Sequence, residues 1–177
     1  MTITLIRHAR VTYDFKKYSR YFEFDKSCIE YDNSPICREI ESRITSSANI
    51  IYVSSLKRTH DTSRLIFPDK VPIENKLFDE VPINFAPLPF LVPTVLWFGI
   101  GRLQWFFGIQ KQSESKQDTK NRVRKAVDIL EANNQDVTLI SHGLFMRLLV
   151  KELKRRDFLL EGEATYKNLD CIRFRML

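Results

Sequence analysis

The stretch TITLIRHAR, residues 2–10, runs from a block of β-branched and aliphatic residues straight into an arginine and a histidine. Residues 2–6 have the composition of a strand buried on both faces. Arg7 and His8 then stand at its tip, where a cation and a titratable imidazole can be held without sinking into the core.

Two later segments repeat this arrangement. IIYV at 50–53 reads as a second buried strand, and SSLKRTHDTSRLIF at 54–67 follows it. Ser54 or Ser55 is placed to cap a helix on which Leu56, Thr59, Ser63 and Ile66 recur at helical spacing. DVTLI at 136–140 reads as a third buried strand. SHGLFMRLLVKELKRR at 141–156 then turns at Gly143 and enters a helix on Leu144, Leu148 and Leu149. The pattern also predicts a helix over 36–47, a short strand at VPIE (71–74), a helix over 117–134 with Val123, Val127 and Leu130 on one face, and a strand over 171–176. Strands alternating with helices imply an α/β fold with a largely parallel sheet.

In open α/β sheets, ligands bind beyond the carboxyl ends of the strands. If the three strands are neighbours, Arg7, His8, Arg58 and His142 converge on one crest. Two arginines and two histidines beside helix N-termini make an anion site, and guanidinium forks match phosphate oxygens in pairs. His60, on another face of its helix, is read as structural.

The bulk composition agrees. At 177 residues and 44% hydrophobic, the chain is long enough for one domain, 1–177, with a sizeable core. The formal charge of +6 favours acidic partners: phosphorylated small molecules, phosphoproteins, nucleic acid or an anionic membrane. Nucleic acid is set aside, because no RNP-like aromatic set, zinc finger or helix-turn-helix is visible. Three cysteines without a CxxC pair and three scattered histidines predict no metal site. Residues 1–6 are too short for a secretory h-region, so the expected location is the cytoplasm.

LIRHA (5–9), YVSSLKRTHDTSRLI (52–66), FDEV (78–81) and TLISHGLFMRLL (138–149) occur in one order. Together they resemble the histidine phosphatase superfamily, the phosphoglycerate-mutase-like fold. The resemblance implies a three-layer sandwich, a mostly parallel central sheet with helices on both faces. It implies His8 as the nucleophile that becomes a phosphohistidine. Arg7, Arg58 and His142 would hold the phosphoryl oxygens. Glu80 would be the general acid, with Asp79 as the neighbour to set aside. No cofactor is implied. Two positions depart from the usual family pattern: Ala9 replaces a common glycine, and Arg10 stands where glutamate is frequent. Arg10 is expected to meet an acidic group of the substrate. The chain is shorter than a typical mutase and lacks recognisable residues for a second phosphate, which favours a phosphatase acting on a phosphorylated small molecule or phosphoprotein. The alternative is a catalytically weak or membrane-surface-associated member of the same fold. The oligomeric state is left open.

FAPLPFLVPTVLWFGIGRLQWFFGI, 85–109, falls where the family inserts its substrate cap, here about 81–115. Its early prolines, with Arg102 and Gln104 inside, argue against a membrane-spanning helix. As a cap helix it would turn Leu96, Ile100, Leu103 and Phe107 inward, with Arg102 toward solvent or the cleft. Alternatively Trp97, Trp105, Phe106 and Phe107 form an exposed patch for a partner or a membrane surface. TYKNLDCIRF, 165–174, resembles the family's closing strand and brings Tyr166 toward the site.

Overall fold

The computed structural model describes residues 1–39, 44, 46–83, 85, 88–109 and 113–176. Its elements in chain order are β1 (Thr2–Arg7), β2 (Tyr18–Ser19), α1 (Tyr21–Asn33), β3 (Ile50–Val53), α2 (Lys57–Ile66), β4 (Ile73–Glu74), a 3₁₀ turn (Lys76–Phe78), β5 (Val92–Pro93), α3 (Thr94–Phe107), α4 (Lys116–Ala132), β6 (Val137–Ser141), α5 (Gly143–Arg155), β7 (Leu159–Glu161) and β8 (Cys171–Arg175).

The apolar blocks at 2–6, 50–53 and 136–140 become the centre of a six-stranded sheet of order β4-β3-β6-β1-β8-β7. β4, β3, β6 and β1 run parallel, while β8 and β7 are antiparallel to their neighbours. β1 lies between β6 and β8, with Leu5 opposite both Leu139 and Ile172. The tips of β3, β6 and β1 are therefore adjacent, as a shared crest requires.

Side chains alternate across this sheet and need cover on both faces. On one face Ile3, Leu5, Val137 and Leu139 pack with Val123, Val127 and Leu130 of α4 and Phe145 and Leu149 of α5. On the other, Ile6, Ile51, Val53 and Ile140 meet Ile66 and Phe67 at the end of α2. This is the α/β architecture with helices on both faces. α4 starts at Ser115, whose hydroxyl accepts from the Asp118 N–H while Asp118 reaches back to the Ser115 N–H, at 3.1 and 3.2 Å.

A second, aromatic cluster forms beyond the strand ends. Phe24 of α1, Phe85 and Trp97 of α3 pack together, backed by Phe15, Tyr21, Ile83 and Ile100. The two-stranded β2–β5 ladder joins the two helices, and the Trp97 indole N–H donates to the Ser19 carbonyl at 3.1 Å.

Four expectations change. Cys37–Glu39 are not helical, and Ile36 instead bridges Val11. Residues 40–43 and 45 of that expected helix lie outside the described residues. The helix in this region is α1, whose one fully buried side chain, Phe24, left too little apolar periodicity to detect. Neither Ser54 nor Ser55 caps α2, because their hydroxyls are used elsewhere. In α3, Leu96, Leu103 and Phe107 are 51, 58 and 67% exposed, while Trp97, Gly101, Gln104 and Trp105 are buried. Trp97 and Trp105 thus also leave the exposed patch expected of them. Nearly every residue of α3 is apolar, so its sequence has no contrast from which to phase the helix. The phase is set by Gly101, where a methyl group would overlap Ile83 and Phe85. Among the described residues no helix is long and apolar enough to cross a membrane.

Candidate active site

β1 ends by carrying His8 to the crest, where it is 3% exposed. Its N–H donates to the Ser141 carbonyl at 3.0 Å, and its carbonyl accepts from Asn168 at 2.8 Å. The ring is fixed as well. Nδ1 lies 2.7 Å from the Ala9 carbonyl, which can only accept, so Nδ1 carries the hydrogen and Nε2 keeps its lone pair. Burial, then the Arg58 charge, then that of Arg7, lower the imidazole pKa to about 3 against the pull of the Ala9 bond. His8 is neutral at pH 7.

Ala9 is held from behind: its N–H donates to Thr62 Oγ1 at 2.9 Å, and that hydroxyl donates to the Arg58 carbonyl at 2.6 Å. Thr62 therefore couples the His8 backbone to the first turn of α2, which carries Arg58.

Arg58 is buried, and two of its three guanidinium nitrogens are held. Nε donates to His142 Nδ1 at 3.2 Å, and Nη1 donates to Asp32 at 2.5 Å. Its face lies 5.5 Å from the Tyr31 ring. Asp32 and Tyr31 come from α1, a region whose part in the site was not legible in the sequence.

His142 stands behind His8, with ring centroids 5.1 Å apart. It is fully buried, and Ser54 Oγ is 2.7 Å from its Nε2. Since Nδ1 accepts from Arg58, Nε2 is the protonated nitrogen. Burial and the surrounding cations push its pKa well below the usual imidazole value. Both ring nitrogens are taken. His142 thus links Arg58 of α2 to Ser54 at the tip of β3. Ser54 also accepts from the Leu56 N–H at 3.2 Å and lies 3.0 Å from Thr59 Oγ1.

Arg7 crosses the N-terminus of α5. A methyl at Gly143 would sit 3.3 Å from its Cζ, so the glycine of SHG makes room for the guanidinium. Arg7 Nη1 donates to the Tyr166 carbonyl at 2.5 Å, and its buried Nε–H has no partner among the described residues. Tyr166 thus serves through its backbone, while its ring lies 4.7 Å from Arg147.

The 76–81 segment is tied to the crest by several bonds. Asp79 accepts from the Ser55 N–H and hydroxyl at 2.7 and 2.8 Å. Ser141 donates to the Phe78 carbonyl at 2.7 Å. Arg122, paired with Glu114 at 2.7 Å, also donates to the Leu77 and Asp79 carbonyls. Glu80 is thereby delivered to the N-terminus of α5, where it accepts from the Leu144, Phe145 and Val81 N–H groups at 3.3, 3.0 and 2.9 Å.

Arg7, His8, Arg58 and Glu80 line one cleft of about 650 Å³, joined by Arg102. Arg102 donates to the Val81 carbonyl at 3.0 Å; burial lowers its pKa and Glu80 opposes that shift. Phe15, Tyr31, Phe85 and Phe98 give the same cleft an aromatic wall. Cys28 also lines the cleft, but burial raises its pKa to about 12, so it stays a thiol. A second cavity of about 700 Å³ shares Arg7, Glu80 and Arg102 and includes the Tyr166 ring. Arg10 is exposed and lines neither cavity. His60 pairs with Glu74 at 3.0 Å and lines neither cavity.

No family model and no curated protein matches the sequence. Solved structures do match the fold. A putative α-ribazole-5′-P phosphatase from Escherichia coli is 16% identical, with a TM-score of 0.58 over 86% of this chain and 79% of that one. A mycobacterial glucosyl-3-phosphoglycerate phosphatase in complex with VO3 is 16% identical, with a TM-score of 0.57 over 97% and 90%. A phosphoglycerate mutase from Bacillus anthracis is 13% identical, with a TM-score of 0.56 over 97% and 86%. The chain has the phosphoglycerate-mutase-like fold.

Proposed function

We propose that the chain is a phosphatase that hydrolyses a phosphomonoester through a phosphohistidine on His8, without a metal ion. The observation that carries this reading is the His8 ring itself. It is neutral, locked in the Nδ1–H tautomer by the Ala9 carbonyl, and set among arginines in a cleft.

Nε2 attacks phosphorus as the bond to the leaving oxygen breaks. Arg7, Arg58 and Arg102 face the charge spread over the equatorial oxygens, a task that Mg²⁺ performs in other phosphoryl-transfer enzymes. The free Arg7 Nε–H is a donor ready for one of those oxygens. Asp32 holds Arg58 Nη1, and the remaining guanidinium donors are the ones an anion would meet. Glu80 gives a proton to the leaving oxygen. As a carboxylate it then takes one from the water that attacks the phosphohistidine and frees His8. His142 acts as a positioning residue, holding Arg58 Nε from one side while Ser54 holds its other nitrogen.

The aromatic wall of Phe15, Tyr31, Phe85 and Phe98 suits a substrate whose phosphate is joined to an apolar or aromatic group. All three cysteines are unpaired, which fits a reducing compartment such as the cytoplasm.

The deciding experiment is p-nitrophenyl phosphate hydrolysis in excess EDTA, with wild type beside His8→Ala. Turnover is expected in the wild type alone, together with a labelled, alkali-stable phosphoenzyme on rapid quenching. Equal turnover in both proteins, or loss of wild-type turnover on chelation, would overturn the mechanism.

A further inference from the structure

Helix α3 and the segment leading into it are built inside out. Every exposed residue between 89 and 109 is apolar or glycine, and Leu91, Val95, Leu96, Phe106 and Phe107 are each more than half exposed. The polar side chains of this stretch turn inward. Thr94 lies 2.9 Å from Ser19 Oγ, Arg102 donates to the Val81 carbonyl, and Gln104 is buried. Monomeric proteins rarely present so large an apolar surface to water without a partner for it.

Positive charge surrounds the face. Exposed Lys16, Lys17 and Arg20 flank β2, which is paired to β5 at the start of α3. Exposed Tyr18 and Phe22 extend the apolar surface between them. At the other end Lys116 Nζ lies 3.7 Å from the Phe106 ring. Neither 15–22 nor 85–112 contains an acidic residue. Of the two acids that adjoin 15–22, Asp14 and Glu23, Glu23 is already paired with Lys16 at 3.1 Å.

We infer that the α3 face docks on the surface of an anionic lipid bilayer. A hydrocarbon boundary asks for no directional partners, and anionic headgroups answer the lysines at the rim. A second copy fits less well, since a two-fold pairing would set Lys17 and Arg20 near their own copies. A protein partner also fits less well, because such interfaces carry roughly one hydrogen bond per 100–200 Å² and the exposed α3 side chains offer none. At 14 residues α3 is shorter than the ~20 needed to span, so it lies in the plane of the interface. Phe98 and Arg102 on the same helix line the cleft, which therefore borders the docked surface.

Sedimentation of the full chain with phosphatidylcholine vesicles, with and without phosphatidylglycerol, tests this independently of turnover. Binding is expected only with phosphatidylglycerol, weakening as salt rises. Binding should be about tenfold weaker in Val95→Ser/Phe107→Ser and about fivefold weaker in Lys17→Ala. Both variants lie outside the cleft and should keep the wild-type circular dichroism spectrum. Three results would overturn the inference: no wild-type sedimentation with anionic vesicles; unchanged binding in the double variant; or a dimer by light scattering that the double variant dissociates and that ignores vesicles.

Discussion

The crest of the sheet and the aromatic cap beside it depart from the usual partition of side chains in opposite directions. At the crest polar groups are buried: His8, Ser54, Arg58, Thr62 and His142 are all below a tenth exposed, and each has a defined partner. In the cap the large apolar side chains are split, with Phe24 and Trp97 buried and Val95 and Phe107 in solvent. Burying polar groups costs stability unless each is satisfied. Exposing apolar ones lowers solubility unless something covers them. The two departures point to different tasks. The crest holds its polar groups rigidly, and the cap offers surface.

This contrast can be broken from either side. The largest effect on folding is expected from Trp97→Ala, which empties the centre of the cap cluster and costs about 3–5 kcal/mol by urea titration. Turnover of p-nitrophenyl phosphate per folded molecule should stay within a few-fold; a collapse of turnover would show that the cap and the crest are one unit. Next is Arg58→Lys, which keeps the charge but loses the fork that reaches Asp32 and His142 together. Its kcat/KM should fall about 10²–10³-fold with little change in melting temperature. Glu80→Gln should separate leaving groups. A loss of about 10²-fold is expected for an alkyl phosphate and much less for p-nitrophenyl phosphate, whose leaving group needs little protonation. Equal losses for both would remove Glu80 from the acid role.

Acid should act on the crest and spare the cap. His8 has a folded pKa of about 3, and that of His142 is also well below 6.5. Between 6.5 and about 3 the unfolded chain therefore binds protons that these folded imidazoles refuse. Stability is present above 6.5 and falls as pH drops through this window, by at most about 1.4 kcal/mol per pH unit for each histidine. His142→Gln should flatten that slope in urea titrations, whereas the cost of Trp97→Ala should not vary with pH. The smallest effect is expected from Gly143→Ala. Its methyl would crowd the movable end of Arg7, and a few-fold rise in KM with unchanged stability would report the displacement.

The sheet and its crest were legible because strand and site signals coincide there. Apolar blocks ending in RH, SS and SHG specify buried parallel strands and also the groups at their tips. Asp79 was set aside in favour of Glu80 on the resemblance alone; both line the cleft, Asp79 bonded to Ser55 and Glu80 to the N-terminus of α5. The cap was harder to read. α1 is held by tertiary contact through Phe24 rather than by a periodic face, so Tyr31 and Asp32 could not be placed beside Arg58. α3 lacks polar contrast, so its rotation depends on Gly101 meeting Ile83 and Phe85. Ser54 and Thr62 did leave a trace: small polar residues where a strand-to-helix junction normally buries aliphatic ones.

The clamp on β1 orders events in time. The Arg7 N–H donates to the Asp170 carbonyl, and the Arg7 carbonyl accepts from the Leu169 N–H, at 3.1 and 3.0 Å. Asn168 holds the His8 carbonyl, and Tyr166 holds the Arg7 side chain. The strand that leads to His8 is thus locked by partners that lie 159 and 160 positions later in the chain. At about 5–20 residues per second the interval between their syntheses is roughly 10–30 s. Through that interval the growing chain carries His8 without the frame that holds it, and a product halted short of residue 166 would never acquire that frame.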